Sequence, residues 1–132
     1  MQYEPTLSRD ELIDLATIKY FGNVDKKNMD AALFCFNDEA LFCVQTAFTR
    51  HVGKGEIKRM FEDFFGAYET IVHKDFVCTV DETNGRVTAS FEAVLTGHDG
   101  SVTRFFNTNF WRVRDGKFQE VYVYFSGSNV LV

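Results

Sequence analysis

The stretch FVCTVDETNGRVTASFEAVLTGHDGSVTRFFNTNFWRVRDGKFQEVYVYF, residues 76–125, carries the pattern that decides the fold. Three dipeptides, Asn84-Gly85, Asp99-Gly100 and Asp115-Gly116, divide it at nearly even spacing, and β-branched and aromatic residues fill the segments between them. Asn-Gly and Asp-Gly tolerate the positive φ that both central residues of a type I′ turn need. The stretch therefore predicts an antiparallel meander of four long strands joined by two-residue turns.

The composition indicates a single domain over residues 1–132. Hydrophobic residues make up 45% of the chain and charged residues 25%, which excludes a disordered chain. The formal net charge is −5 and no basic run is present, so we expect neither a nucleic acid nor a membrane surface as a partner. The chain lacks the apolar segment of a signal peptide or a membrane span, and we expect it to be cytoplasmic.

The cysteines and glycines do not form recognised cofactor or metal motifs. The chain has three cysteines, an odd number, at positions Cys35, Cys43 and Cys78. They lie in apolar surroundings and lack Cys-x-x-Cys spacing, so we expect free thiols packed in the core. Gly53-x-Gly55 lacks the remaining glycine of a dinucleotide loop. The three histidines have no metal-ligand spacing. We therefore expect no metal and no cofactor.

Three helices are predicted ahead of the meander. Ser8 and Glu11 form a capping box, so the first helix should begin at Ser8 and continue to residues 22–23. Asp25 is the predicted N-cap of a second, shorter helix. The third helix follows the glycines at 53 and 55 and has apolar residues at a 3.6-residue period. These residues are Ile57, Met60, Phe61, Phe64, Phe65 and Tyr68.

Pairing outward from two-residue turns assigns the two faces of the sheet. The face toward the helices is predicted to carry Phe76, Cys78, Phe91, Phe106, Thr108, Phe110, Val123 and Phe125. An additional first strand, roughly residues 40–46, would add Phe42 and Val44. The outer face is predicted to carry large apolar side chains, among them Phe105, Trp111, Phe118, Tyr122 and Tyr124. A patch of this size predicts a homodimer formed through the outer face.

Long, twisted strands that curl over three helices make an α+β cone with an internal cavity. The order of elements resembles the nuclear-transport-factor-2-like superfamily (cystatin-like fold), and specifically its SnoaL-like and ketosteroid-isomerase-like branch. The matching segments are residues 36–40 entering the first strand, 53–57 opening the third helix, 115–118 at the last turn and 124–126 near the end. The resemblance covers residues 8–130. It implies three N-terminal helices on a curved antiparallel sheet, in the order α-α-β-α-β-β-β-β.

The residues that the resemblance assigns to the isomerase mechanism are only partly present. The oxyanion-hole tyrosine falls on Tyr20. The position of the general base holds Val44, and that of the second oxyanion donor holds Asn109 by alignment or Phe110 by register. Without a carboxylate base, we expect no steroid-type isomerisation. The SnoaL-type cyclases place an acid/base aspartate where this chain has Ser126.

A resemblance to scytalone dehydratase concerns a different pair of residues. That enzyme uses an aspartate after the first helix and a histidine early in the second strand, which fall on Asp25 and His73. A carboxylate that fixes the tautomer of an imidazole makes a general base. Asp25 could equally be only an N-cap, and strict register turns His73 outward unless a bulge reverses it. Tyr20 could be only a core aromatic.

Three functions are therefore open from the sequence. The leading hypothesis is a pocket that binds a small hydrophobic molecule, aromatic or polycyclic. Its predicted lining is Tyr20, Phe42, Val44, Phe76, Cys78, Phe91, Thr108, Phe110, Val123 and Phe125. The first alternative is a cofactor-independent dehydratase, cyclase or isomerase that uses His73 with Asp25 and Tyr20. The second is a dimerisation module whose core is filled by Phe42, Phe91 and Phe110. Only the enzyme requires a His–Asp contact inside a cavity.

Overall fold

A strongly curved sheet of six strands wraps around the helices. The structure, a computed structural model, describes residues 4–132, so residues 1–3 of the predicted domain lie outside it. The strands are β1 (Phe36–Val44), β2 (Thr49–Val52), β3 (Thr70–Asp81), β4 (Arg86–Thr96), β5 (Val102–Arg114) and β6 (Lys117–Tyr124). Their order is β2-β1-β6-β5-β4-β3, and every pair is antiparallel except β1 with β6. The predicted α+β cone and the β3–β6 meander are confirmed.

The helices cover the concave face of the sheet. The first helical stretch is continuous and consists of α1 (Arg9–Asp14), a π-helical segment (Leu15–Tyr20) and α2 (Phe21–Asp25). In the π-helical segment the N–H of Phe21 bonds to the carbonyl oxygen of Ala16, five residues back. The other helices are α3 (Met29–Phe34) and α4 (Lys54–Ala67).

The predicted helix starts agree with the structure in two cases out of three. The capping box is formed, with Glu11 N–H donating to Ser8 Oγ at 3.2 Å and Ser8 N–H donating to Glu11 Oε1 at 3.0 Å. Helix α4 follows Gly53, and its apolar stripe from Ile57 to Phe65 is buried as predicted. The N-cap prediction for Asp25 is wrong. Asn28 caps α3 instead, because its side chain accepts from the N–H of Ala31.

Two of the three turns are longer than predicted, although each dipeptide does lie between two strands. Asp115-Gly116 is a two-residue turn with both φ values positive, 53° and 77°. At Asp99-Gly100 the loop has three residues, 98–100, since Gly97 N–H bonds to Ser101 O at 2.8 Å. At Asn84-Gly85 the loop has four residues, because Asp81 pairs with Arg86.

The longer loop before β5 reverses the predicted faces of that strand. Phe110 and Thr108, predicted inside, lie on the outer face, where Phe110 is 45% exposed. Phe105 and Trp111, predicted outside, lie in the core, where Trp111 is 1% exposed. One extra residue moves every following side chain to the opposite face.

A bulge in β6 returns the later side chains to their predicted faces. The pairs Arg112–Glu120 and Val113–Phe118 leave Gln119 unpaired, which is a second one-residue irregularity. The predicted inner face of most of β6 is therefore correct, because the two shifts cancel. The inner face of β4, which precedes both shifts, is also as predicted. Phe118 lies between the turn and the bulge, and it is buried rather than exposed.

Three further observations concern the cysteines, metal binding and membrane spans. All three cysteines are free thiols, and two of them, Cys35 and Cys43, are buried. Within residues 4–132, no three side chains of His, Cys, Asp or Glu come together as a metal-binding set. None of the helices in this part of the chain is long and apolar enough to cross a bilayer.

The register of β5 gives a direct mutational test. Trp111→Ala should lower the free energy of unfolding by about 3–5 kcal/mol, because it leaves a large cavity in the core. Phe110→Ala, one residue earlier on the opposite face, should cost about 1 kcal/mol or less, because much of its ring is already in solvent. Urea denaturation followed by circular dichroism measures both. Equal losses would contradict the observed register.

Candidate active site

A histidine–aspartate pair lies at the junction of α2 and β3. The Nδ1–H of His73 donates to Asp25 Oδ1 at 2.6 Å, and the backbone N–H of His73 donates to Asp25 Oδ2 at 2.8 Å. The His73 side chain is 8% exposed. Because a carboxylate can only accept, the proton is held on Nδ1 and the neutral ring leaves Nε2 as an acceptor. In the described residues, Nε2 has no hydrogen-bond partner.

A β-bulge turns His73 toward this aspartate. Lys74 pairs with Glu92 and Val77 pairs with Ser90, so two residues of β3, at 75 and 76, stand opposite one residue of β4. Asp75 adopts φ 59°, the left-handed conformation found at such bulges. Without the extra residue, the alternation that faces Cys78 inward would face His73 outward. This bulge therefore reverses the outward orientation that strict register predicts for His73.

Two adjacent aromatic residues lie where the π-helical segment ends and α2 begins. Tyr20 and Phe21 are adjacent in sequence and both are buried. The Phe21 ring stacks on the imidazole of His73, with centroids 4.1 Å apart and an interplanar angle of 23°. The aspartate and this stacking ring therefore hold the imidazole from two directions.

His73 lines an internal cavity whose wall is mostly aromatic and aliphatic. The lining residues are Tyr20, Phe21, Val24, Phe42, Phe61, Phe64, His73, Phe91, Ala93, Leu95, Phe105, Asn107, Asn109, Val123, Phe125, Val130 and Leu131. No Lys or Arg is among them. The cavity volume is about 30 Å³, room for two or three water molecules at ~10–15 Å³ each. A ring-sized molecule would enter only if side chains of the wall moved apart.

Tyr20 is a neutral hydrogen-bonding group in this wall. Burial raises the pKa of its hydroxyl well above the ordinary value for tyrosine, and the nearby Cys35 and Asp25 add to the rise. Five aromatic rings of the core pack edge-on or tilted against it, including Trp111 and Phe118. Tyr20 therefore keeps its proton over the whole pH range in which proteins are usually studied.

Two asparagines in the cavity wall were not anticipated as inward-facing. Asn107 and Asn109 are 4% and 3% exposed and face inward from β5. Asn107 Oδ1 accepts from the N–H of Ser126 at 3.1 Å. Asn109 Oδ1 has no hydrogen-bond partner in the described residues. Only the observed length of the Asp99-Gly100 loop reveals this orientation, because the two-residue turn puts both amides outside.

The structure brings together part of the predicted site. His73 and Asp25 are in contact, and Tyr20, Phe42, Phe91, Val123 and Phe125 line the same cavity. Val44, Phe76 and Cys78 face the core but are not part of the cavity wall. The predicted lining by Thr108 and Phe110 is wrong, because the register places both on the outer face.

The other two histidines have structural partners. Buried His51 donates from Nε2 to the carbonyl oxygen of Leu131 at 2.9 Å, which secures the C-terminal segment over the cavity. His98 contacts Glu69 at 2.9 Å and the carbonyl oxygen of Gly66 at 2.8 Å. These contacts raise the pKa of His98 above its usual value, the Gly66 carbonyl most and Glu69 next.

Comparisons with known proteins agree with this architecture. A family model described as SnoaL-like domain matches residues 18–121. A candidate polyketide cyclase from Xanthomonas campestris pv. campestris has a similar structure, with a TM-score of 0.79 and 20% identity over 88% of this chain and 90% of that chain. A candidate isomerase from Bacillus subtilis has a TM-score of 0.78 and 15% identity, over 89% of this chain and 87% of that chain. An LEH-like epoxide hydrolase from M. tuberculosis has a TM-score of 0.76 and 15% identity, over 89% of this chain and 84% of that chain.

At these identities, the solved structures establish a shared fold alone. A comparison with curated proteins finds no significant match.

The bulge that orients His73 can be tested at Asp75. Asp75→Val should lower the free energy of unfolding by about 1–3 kcal/mol, because a β-branched residue is strained at φ 59°. It should also shift the NMR signals of the His73 ring. Asp75→Gly should cost little and leave those signals in place, because glycine adopts positive φ readily. Equal effects of the two substitutions would contradict a left-handed residue at this position.

Proposed function

Because the chain belongs to the SnoaL-like domain family, we propose that it is a cofactor-independent acid–base catalyst acting on a small, uncharged, ring-containing carbonyl compound. The reaction class is that of a dehydratase, cyclase or isomerase. The proposal depends on one observation, the contact of Asp25 with His73, whose side chain lines an apolar cavity. Of the functions considered from the sequence, only the enzyme requires it.

His73 is suited to be the proton acceptor. Its Nδ1–H is engaged by Asp25, and the remaining basic atom, Nε2, has no partner in the described part of the chain. In the proposed reaction, Nε2 takes a proton from the carbon next to a carbonyl group, and the electron pair of that C–H bond forms an enolate. The carboxylate of Asp25 then stabilises the imidazolium. The same proton returns to carbon or to a leaving hydroxyl group.

The chemistry of the cavity wall limits the substrate. Lys and Arg are missing from the lining, so nothing in the wall would pair with a carboxylate or phosphate. The wall is dominated by Phe rings, which suit a ring compound. Tyr20 supports this assignment as a neutral donor whose raised pKa keeps its proton available. A pocket that binds without catalysis needs the same wall but not the His73–Asp25 contact.

The filled-core alternative receives less support. Phe42 and Phe91 do narrow the cavity, but Phe110 lies outside it. Polar groups of Tyr20, His73 and two asparagines remain in the wall. Buried polar groups without partners are costly in a core that exists only to be packed.

We also propose that the outer face of the sheet forms a homodimer, with different residues from those expected. Phe105 and Trp111 are in the core, whereas Tyr122 and Tyr124 remain on the outer face. Phe106 and Phe110 replace the two core residues there. Phe106, Phe110 and Tyr124 are exposed there, and the rings of Phe110 and Tyr124 are in contact, which favours an interaction surface on this face.

Hydrogen–deuterium exchange tests the catalytic proposal without knowledge of the substrate. The enzyme is incubated in D2O with cyclohexanone, 2-indanone or 2-tetralone, and exchange at the carbon next to the carbonyl is followed by NMR. The wild type should accelerate exchange of at least one ketone above buffer. His73→Asn should reduce that acceleration by about 100-fold or more, since it removes the base.

The matched control is His98→Asn, which removes the other histidine in contact with a carboxylate. His98 pairs with Glu69 on the surface, outside the cavity. Its substitution should leave exchange unchanged. Asp25→Asn should lower exchange while the protein stays folded by circular dichroism. Exchange that is equal in the wild type and in His73→Asn would refute the proposal.

Light scattering coupled to gel filtration tests the dimer. The wild type should have a dimer mass at micromolar concentration, and Phe106→Glu should shift it to monomer by placing a charge in the interface. The control is Phe34→Glu, because Phe34 and Phe106 are both 69% exposed but Phe34 lies on α3. A monomer mass for the wild type would refute the dimer.

A further inference from the structure

The two asparagines of β5 form a second polar feature in the cavity, separate from His73. They are two residues apart on one strand face, so their Cα atoms lie about 7 Å from each other. Asn107 pairs with Phe91 of β4, which in turn stands opposite the bulge of β3. His73 is thus two strands away, about 10 Å across the sheet. A ring compound that reaches His73 has its far end near these amides.

The hydrogen bond from Ser126 fixes the orientation of the Asn107 amide. A backbone N–H can only donate, so the atom that it contacts is the carbonyl oxygen Oδ1, at 3.1 Å. The Nδ2 group of Asn107 is then left with two protons and no partner in the described residues. Asn107 therefore offers the cavity a hydrogen-bond donor.

Asn109 offers the cavity an unpaired hydrogen-bond acceptor. Its side chain is in the cavity wall, the residue is 3% exposed, and its Oδ1 has no partner. A buried acceptor that stays unpaired lowers the stability of the folded state. A ligand that donates a hydrogen bond to Asn109 Oδ1 restores this lost stability.

We propose that Asn107 and Asn109 select a ligand that carries a hydroxyl group at the end remote from His73. A hydroxyl oxygen accepts from Asn107 Nδ2, and its proton is donated to Asn109 Oδ1, so one group satisfies both amides. The isomerase resemblance implies only a donor at position 109, whereas this arrangement requires an acceptor there. The inference rests on the proposed function for the use of the cavity as the substrate site.

The experiment compares two probes of the same shape, 2-naphthol and 2-methylnaphthalene, with dissociation constants measured by calorimetry. The wild type should prefer 2-naphthol by roughly tenfold, the usual contribution of a net hydrogen bond. In Asn109→Leu the ratio of the two dissociation constants should fall to near one. Thr108→Val, a substitution between the two amides on the outer face, should leave it unchanged.

A second measurement distinguishes a binding residue from a structural one. Without ligand, Asn109→Leu should raise the melting temperature by about 3–5 °C, because it removes an unpaired buried amide and keeps a similar volume. A residue needed for the fold would lower it. A lower melting temperature, a preference that survives in Asn109→Leu, or no binding of either probe to the wild type would each overturn the inference.

The two proposals can fail independently. His73→Asn should retain the preference for 2-naphthol, because His73 is remote from the two amides. Lost ketone exchange in His73→Asn together with an unchanged preference in Asn109→Leu would refute only the hydroxyl selection. The reverse result would refute only the catalytic role of His73.

Discussion

Successive side chains of a strand point to opposite faces, so one extra residue moves every later side chain to the other face. Three such irregularities shape the cavity: the loop at residues 98–100, the unpaired Gln119 and the bulge at residues 75–76. The first decides which side chains of β5 face the core, and the second does the same for β6. The third decides that His73 faces Asp25. The cavity, its polar groups and the outer apolar patch all follow from these three irregularities.

The sequence predicted those features that depend on local chemistry. The capping box at Ser8, the apolar stripe of α4 and the four-stranded meander depend on residues close together in the chain, and they are confirmed. The inner face of β4 was also predicted, because the hydrophobic alternation from Ala89 to Ala93 is unambiguous.

The features that sequence did not predict depend on loop length or on tertiary contacts. Asp-Gly fits both a two-residue turn and a three-residue loop with glycine in the left-handed conformation, and β5 has aromatic residues on both faces. The pattern therefore could not choose between Phe110 and Trp111. Strand β2 has only four residues, too few for a clear alternation. Asp25 was expected at a helix start, but its carboxylate binds a histidine 48 residues away.

The site combines a well-supported pair with poorly satisfied amides. Asp25 accepts two hydrogen bonds from His73, one from the ring Nδ1–H and one from the backbone N–H, and the ring of Phe21 stacks on the imidazole. Asn109, by contrast, keeps a buried oxygen without a partner. A rigidly positioned histidine and an unpaired amide oxygen are typical of ligand-binding sites, because a bound ligand then supplies the missing hydrogen bond.

The π-helical segment and the β3 bulge have a shared consequence for how this fold can change. Each accommodates one additional residue in an otherwise regular element. Loss of one residue from Leu15–Tyr20 would rotate Asp25 by about 100° around the helix axis. Loss of one from the bulge would turn His73 to the opposite face. Neither removes a capping box, a turn or the stripe of α4. A single-codon deletion can therefore separate the histidine–aspartate pair from the scaffold, and chains with this same architecture can differ in chemistry by one residue of length.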